Sequence, residues 1–209
     1  MKPQSLLPIA LIALAGLSLG SGCPTMPKLK DRVVELALGG STTLEFRGQS
    51  TENTIWNASG TYDLSSDIDL NKLLDDAGID ASKVTGIALS GVSYRVSVAD
   101  AGGHTISGGT VTVQRAGSAS AVTLVDNFTQ NVGSVTPFIT APLTSEGVGV
   151  LNQLLSDIVD AAKNHTPVVN PGVTYSVHGT ADGVPYDFFW QLKLDISVKG
   201  KIKKITVLT

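Results

Sequence analysis

From Tyr186 to Val198 the chain changes side at every residue. Tyr186, Phe188, Trp190, Leu192, Leu194, Ile196 and Val198 share one parity, and Asp187, Gln191, Lys193, Asp195 and Ser197 share the other. A two-residue period sustained this far fits a strand with one buried and one wet face, and it fits no helix. A strand of this kind needs a second apolar layer against its buried face. Val173–Thr180 has the same character, and Asp182-Gly183 between the two runs predicts a hairpin. Phe189 alone stands on the polar side.

The rest of the chain carries similar signals. Arg32–Leu38 and Thr42–Arg47 read as strands joined through Gly39-Gly40, and Asn53–Leu64 as a weaker one broken at Ser59-Gly60. Val84–Val98 changes phase: Ile87 and Leu89 are odd-numbered, whereas Val92, Tyr94, Val96 and Val98 are even-numbered. A slip of one residue would turn every later side chain to the wrong face, so Ser90-Gly91 is expected to hold a β-bulge. His104–Arg115, irregular at Gly108-Gly109, and Ala121–Phe128 add two more strands. Gly200 is expected to turn into a last strand, Ile202–Leu208.

Two segments have helical spacing. Ile68, Leu70, Leu73, Leu74 and Ala77 recur between Asp67 and Gly78. Val148, Leu151, Leu154, Leu155, Ile158, Val159 and Ala162 form a stripe, with Thr144 or Ser145 to cap it, Glu146 in the first turn and Pro167 beyond its end. About nine to ten short strands without a βαβ rhythm predict a mainly β chain. The expected architecture is an antiparallel β-sandwich with two accessory α-helices, about 67–77 and 145–163.

Composition narrows the function classes. Of 209 residues 42% are hydrophobic and 16% charged, too apolar for disorder. A single cysteine excludes an intrachain disulfide, and a net charge of −3 offers no basic field for nucleic acid.

The N-terminus gives an address. Lys2 precedes an apolar run from Leu6 to Leu19, and Gly20-Ser21-Gly22-Cys23 follows it. The run is well short of the roughly 20 residues that span a bilayer, and its pattern is that of a secretory signal peptide. By residues alone the signal could instead be cut after Gly20, with Cys23 incidental. The only cysteine, placed directly after small residues, resembles the lipobox of bacterial lipoproteins, although Gly20 stands where that family usually has Leu. The resemblance implies cleavage before Cys23 and acylation of its sulfur. Pro24 after it implies the outer membrane where the organism has one. Two or more acyl chains anchor stably. The expected division is therefore a signal peptide over 1–22, acylated Cys23 with a short tether over 23–31, and one β-sandwich domain over 32–209. Pro24–Lys30 reaches roughly 23–25 Å at 3.3–3.6 Å per residue, which keeps the body near the membrane.

Chemistry-bearing motifs are sparse. Gly16-Leu-Ser-Leu-Gly20 matches the hydrolase elbow pattern but lies inside the signal peptide. Asp67-Ile-Asp69-Leu-Asn71 opens like a calcium loop and then lacks its Gly and Glu; a looser site would use Asp63, Asp67 and Asp69. His104, His165 and His178 have no second ligand at metal spacing, and His165 suits a helix C-terminus. No catalytic residue, metal site or cofactor is expected.

Two features remain. Tyr186-Asp-Phe-Phe-Trp190 concentrates aromatics, so Phe189, Tyr186 and Trp190 are the candidate contacts for a ligand or partner; the alternative is that both faces are covered there. Lys193, Lys199, Lys201, Lys203 and Lys204 gather at the C-terminus, where they are expected to guard a sheet edge or to face an anionic membrane. The leading expectation is a lipid-anchored, non-catalytic protein of the cell envelope, structural or interacting. Its partners are the membrane, through Cys23, and an envelope protein, lipid or glycan. A module holding an apolar or glycan ligand between sheet and helix 145–163 is the alternative, and an envelope hydrolase the third.

Overall fold

The computed structural model describes residues 34–67, 74–75 and 79–202. Cys23, the expected signal peptide and the expected tether lie outside the described residues, as do Lys203, Lys204 and the rest of the expected last strand. Within them are eight strands: β1 (Val34–Ser50), β2 (Ile55–Asp63), β3 (Val84–Val98), β4 (Thr105–Arg115), β5 (Val122–Asn131), β6 (Ile139–Thr140), β7 (Gly172–Ala181) and β8 (Tyr186–Ile202). Two helices join them, a short α1 (Leu64–Asp67) and α2 (Ser145–Asn164). Leu74-Asp75 are also helical; the remainder of the expected helix 67–77 is outside the described residues.

The strands form two four-stranded antiparallel sheets packed face to face, in the orders β1-β8-β3-β6 and β2-β7-β4-β5. The β-sandwich expected from the periodicity is the observed fold. The expected hairpin at Gly39-Gly40, however, does not exist. β1 runs straight through both glycines, opposite Ser197 and Ile196 of β8. The expected hairpin of β7 and β8 is absent too. Residues 182–185 carry the chain from one sheet to the other, so the two inner faces meet across the core. β8 also continues through Gly200 instead of turning there. The phase break in β3 is real, since the ladder with β8 shifts register between Leu89 and Gly91. Gly108, with φ +58°, marks the irregularity in β4.

The core between the sheets is aromatic. Trp190, fully buried, stacks near-parallel on Phe128 (centroids 5.3 Å apart) and on Tyr94 (5.5 Å), and meets Trp56 edge-on at 5.8 Å. Phe46, Phe188 and Tyr186 extend the cluster.

Helix α2 closes one side of the sandwich. Thr144 caps it by accepting from the Gly147 N–H, and His165 ends it in the left-handed region at φ 52°. Leu151, Leu154, Leu155, Ile158 and Val159 are buried against β3 and β5. Asn152 Oδ1 accepts from the otherwise open Leu89 N–H of β3 at 2.7 Å. Arg115 of β4 pins the outer side through Asp157 at 2.6 Å.

Candidate functional site

Three connections between the sheets, residues 51–54, 99–104 and 182–185, lie at the same end of the sandwich, because Ser50 pairs with Tyr186, Ile55 with Thr180 and Ile106 with Ala181. At this end sits Asp100, a carboxylate only 4% exposed. Its Oδ1 accepts from the Asp187 N–H at the start of β8, at 3.0 Å. Its Oδ2 accepts from the His104 N–H at 3.2 Å and meets His104 Nδ1 at 2.6 Å. Burial alone would raise the Asp100 pKa, but these bonds and one from the Gly102 N–H outweigh it and hold the carboxyl below its ordinary value. The Asp100 N–H in turn donates to Val132 O beyond β5. One residue thus joins its own turn, β8 and the exit of β5.

An Asp–His pair is also the orienting half of a nucleophilic triad, which needs a hydroxyl or thiol on the far ring nitrogen. Among the described residues none hydrogen-bonds His104 Nε2. That atom instead lies against Gly183, where an added Cβ would fall 2.9 Å from it. The arrangement serves as a clamp, with the imidazole filling the gap between Gly102 and Gly183. Asp100 gave no signal in the sequence beyond its turn; the spacing of four to His104 was the one available clue.

The aromatic candidates separate. Tyr186 and Trp190 are buried in the core. The Tyr186 hydroxyl donates to Ile55 O at 2.9 Å, and burial raises its pKa. Trp190 Nε1–H is buried with no hydrogen-bond partner among the described residues. Phe189 lies on the outer face, partly covered by the Arg47 guanidinium 5.5 Å above its ring. Arg47 also grips Asp187 with two bonds, of 2.9 and 2.7 Å, and Val98, opposite Phe189 on β3, is 51% exposed. Further along this face Arg95 lies 4.6 Å over Phe138 and donates to Gln191, which donates to Glu45. Any contact made by the three aromatics at the surface therefore rests on Phe189.

The lysines do not guard an edge where they are described. β8 is an inner strand, with Lys199 opposite Ala37 of β1 and Gly86 of β3, and Lys193 pairs with Asp195 at 2.7 Å. Asp63 caps α1 through Ser65 and Ser66. Among the described residues no group of three His, Cys, Asp or Glu could hold a metal. His178 sits on the outer face of the other sheet, against Asn57 at 2.7 Å, in a shallow hollow with Ser59, Thr110, Thr112 and Ser176.

No family model matches this chain, and no curated protein does. Among solved structures it is similar to one from Desmodium yellow mottle tymovirus, at 12% identity and a TM-score of 0.34 over 99% of this chain and all of that one. It is also similar to one from turnip yellow mosaic virus, at 8% identity and a TM-score of 0.27 over 93% of this chain and 94% of that one. So distant a likeness transfers nothing to this chain.

Proposed function

We propose that this chain is a lipid-anchored β-sandwich of the cell envelope, at the outer membrane where there is one, with a structural or interaction role in place of a catalytic one. The observation that carries the reading is the lone Cys23 at the end of a short apolar run, a short way upstream of β1. Among the described residues no helix is long and apolar enough to cross a membrane. The polar groups gathered at the loop end are occupied in holding turns to strands. The apolar stripe of α2 is spent on packing, and the outer face around Phe189, Val98 and Arg47 is one surface open to a partner.

The test is membrane fractionation with intact-mass analysis. Native protein should carry diacylglycerol on Cys23 and sediment with membranes, and Cys23→Ser should release it. A bare thiol on membrane-bound native protein would overturn the reading.

A further inference from the structure

The edges of the sandwich are treated unequally. On one side the exposed backbone is covered. Asn152 takes the Leu89 N–H, Thr136 bonds to Val96 N–H and O, and the Thr144 N–H reaches Leu124 O. On the other side β1 pairs only with β8. Glu45 O and Arg47 O turn away from β8, and Tyr62 and Trp56 of β2 donate to them. By strand alternation the N–H and C=O groups of residues 37, 39, 41 and 43 point the same way. Ala37, Gly39, Ser41 and Thr43 are exposed, and among the described residues no protein group bonds to those outward backbone groups.

Natural edges of this kind are blunted by charge, proline, bulges or a covering segment. Residues 36–44, Leu-Ala-Leu-Gly-Gly-Ser-Thr-Thr-Leu, contain no charge and no proline, and the β1–β8 ladder runs without a register shift. We propose that this edge is the contact surface for a second copy of the chain, whose β1 adds antiparallel about a two-fold axis at Gly39.

That register sets Gly39 against its own copy and Ala37 against Ser41, and it makes residue 43 face residue 35. It uses only the stretch that β2 leaves free. Five facing pairs exchanging two bonds each supply about ten backbone hydrogen bonds, and no charged side chain is directly opposed to its like. Being isologous, the contact consumes the edge and closes. The proposal draws on the anchored reading for one thing: tethering to a common surface raises the effective concentration of the second copy. The two Val34 ends then lie at opposite ends of the joined strands, so both anchors are engaged when the shared sheet lies along the bilayer.

The experiment is sedimentation of the full-length chain in detergent, with Gly39→Lys and Gly39→Asp. A Cβ at Gly39 meets nothing within 4 Å and its φ is not left-handed, so neither change strains the monomer. Wild type should be a dimer. Each variant alone places like charges across the axis and should dissociate severalfold more readily. An equal mixture of the two should recover the dimer. Circular dichroism confirms that each variant is folded. A wild-type monomer at every concentration, a dimer unchanged in both variants, or a mixture that fails to recover would each overturn the proposal. A monomer that still sediments with membranes leaves the anchored reading standing; a dimer that does not sediment with them does the reverse.

Discussion

Replacing Asp100 by Asn should destabilise the domain by about 1–3 kcal/mol at neutral pH. The substitution keeps shape and volume, so the effect isolates the second carboxylate oxygen. The introduced amide can still accept from the Asp187 N–H through its oxygen. Its NH2 group then faces the His104 N–H, which had bonded to Oδ2 at 3.2 Å, and the Gly102 N–H. The part-buried His104 N–H loses its acceptor, at about 1–3 kcal/mol, while the exposed Gly102 N–H can turn to water. For a domain of this size the melting temperature should fall by about 2–4 °C per kcal/mol, hence roughly 6 °C.

The pH dependence supplies the sharper assay. The Asp100 pKa in the folded state lies below its unfolded value, which is about 3.9. Its contribution is therefore complete above that value and is lost as the pH falls through the folded one. Urea unfolding of wild type and Asp100→Asn should show the full gap at pH 7 and a narrowing gap as the pH drops below about 4. A variant within about 0.5 kcal/mol of wild type at pH 7 would mean that Asp100 does not hold the loop end together. A gap equally wide at pH 7 and pH 3 would show that the charge is not what matters.

Two glycines of α2 should respond in opposite directions. Gly147→Ala drives a Cβ to 2.5 Å from the backbone of Thr123 and Leu124 and should destabilise by about 1–3 kcal/mol, whereas Gly149→Ala meets nothing within 4 Å and should stabilise by about 0.5–1 kcal/mol, both read by thermal melting. At Trp190, Ala should cost about 3–5 kcal/mol by emptying the centre of the core. Phe should cost less than half of that in urea unfolding, because the indole N–H it removes has no hydrogen-bond partner among the described residues.

The sandwich was legible because burial imposes parity, and parity survives in the sequence wherever a strand is long. The hairpin at Gly39-Gly40 was a misreading that parity could have prevented. A two-residue turn there would set residue 38 opposite 41, putting Leu44 and Phe46 on the face opposite to Leu38. All three are even-numbered and buried, as one unbroken strand requires. No such check exists for β7 and β8. Ala181 and Tyr186 point into the core whether residues 182–185 make a hairpin or an arch between sheets, so local pattern cannot separate the two. Sheet order was equally out of reach. The C-terminal lysines fit an edge strand as well as an inner one until β1 is seen on one side of β8 and β3 on the other. The pairing of Asp100 with His104 is not legible in the sequence, because the groups that hold it come from its own turn, the start of β8 and the exit of β5, which meet only when the sheets close.

The covering of one side and the exposure of the other bear on why α2 exists. A two-layer sandwich of this size could bury its inner faces without a helix. Here Leu151, Leu154, Leu155, Ile158 and Val159 of α2 pack against β3 and β5, with Asn152 and Thr144 satisfying β-edge backbone as they pass. The same segment thus supplies both core and edge cover. A chain that meets the edge problem so fully on β3 and β5, yet leaves β1 uncharged and proline-free from residue 36 to 44, has either retained an aggregation hazard or covers that edge with something else. An isologous pair ends the exposure with no additional sequence.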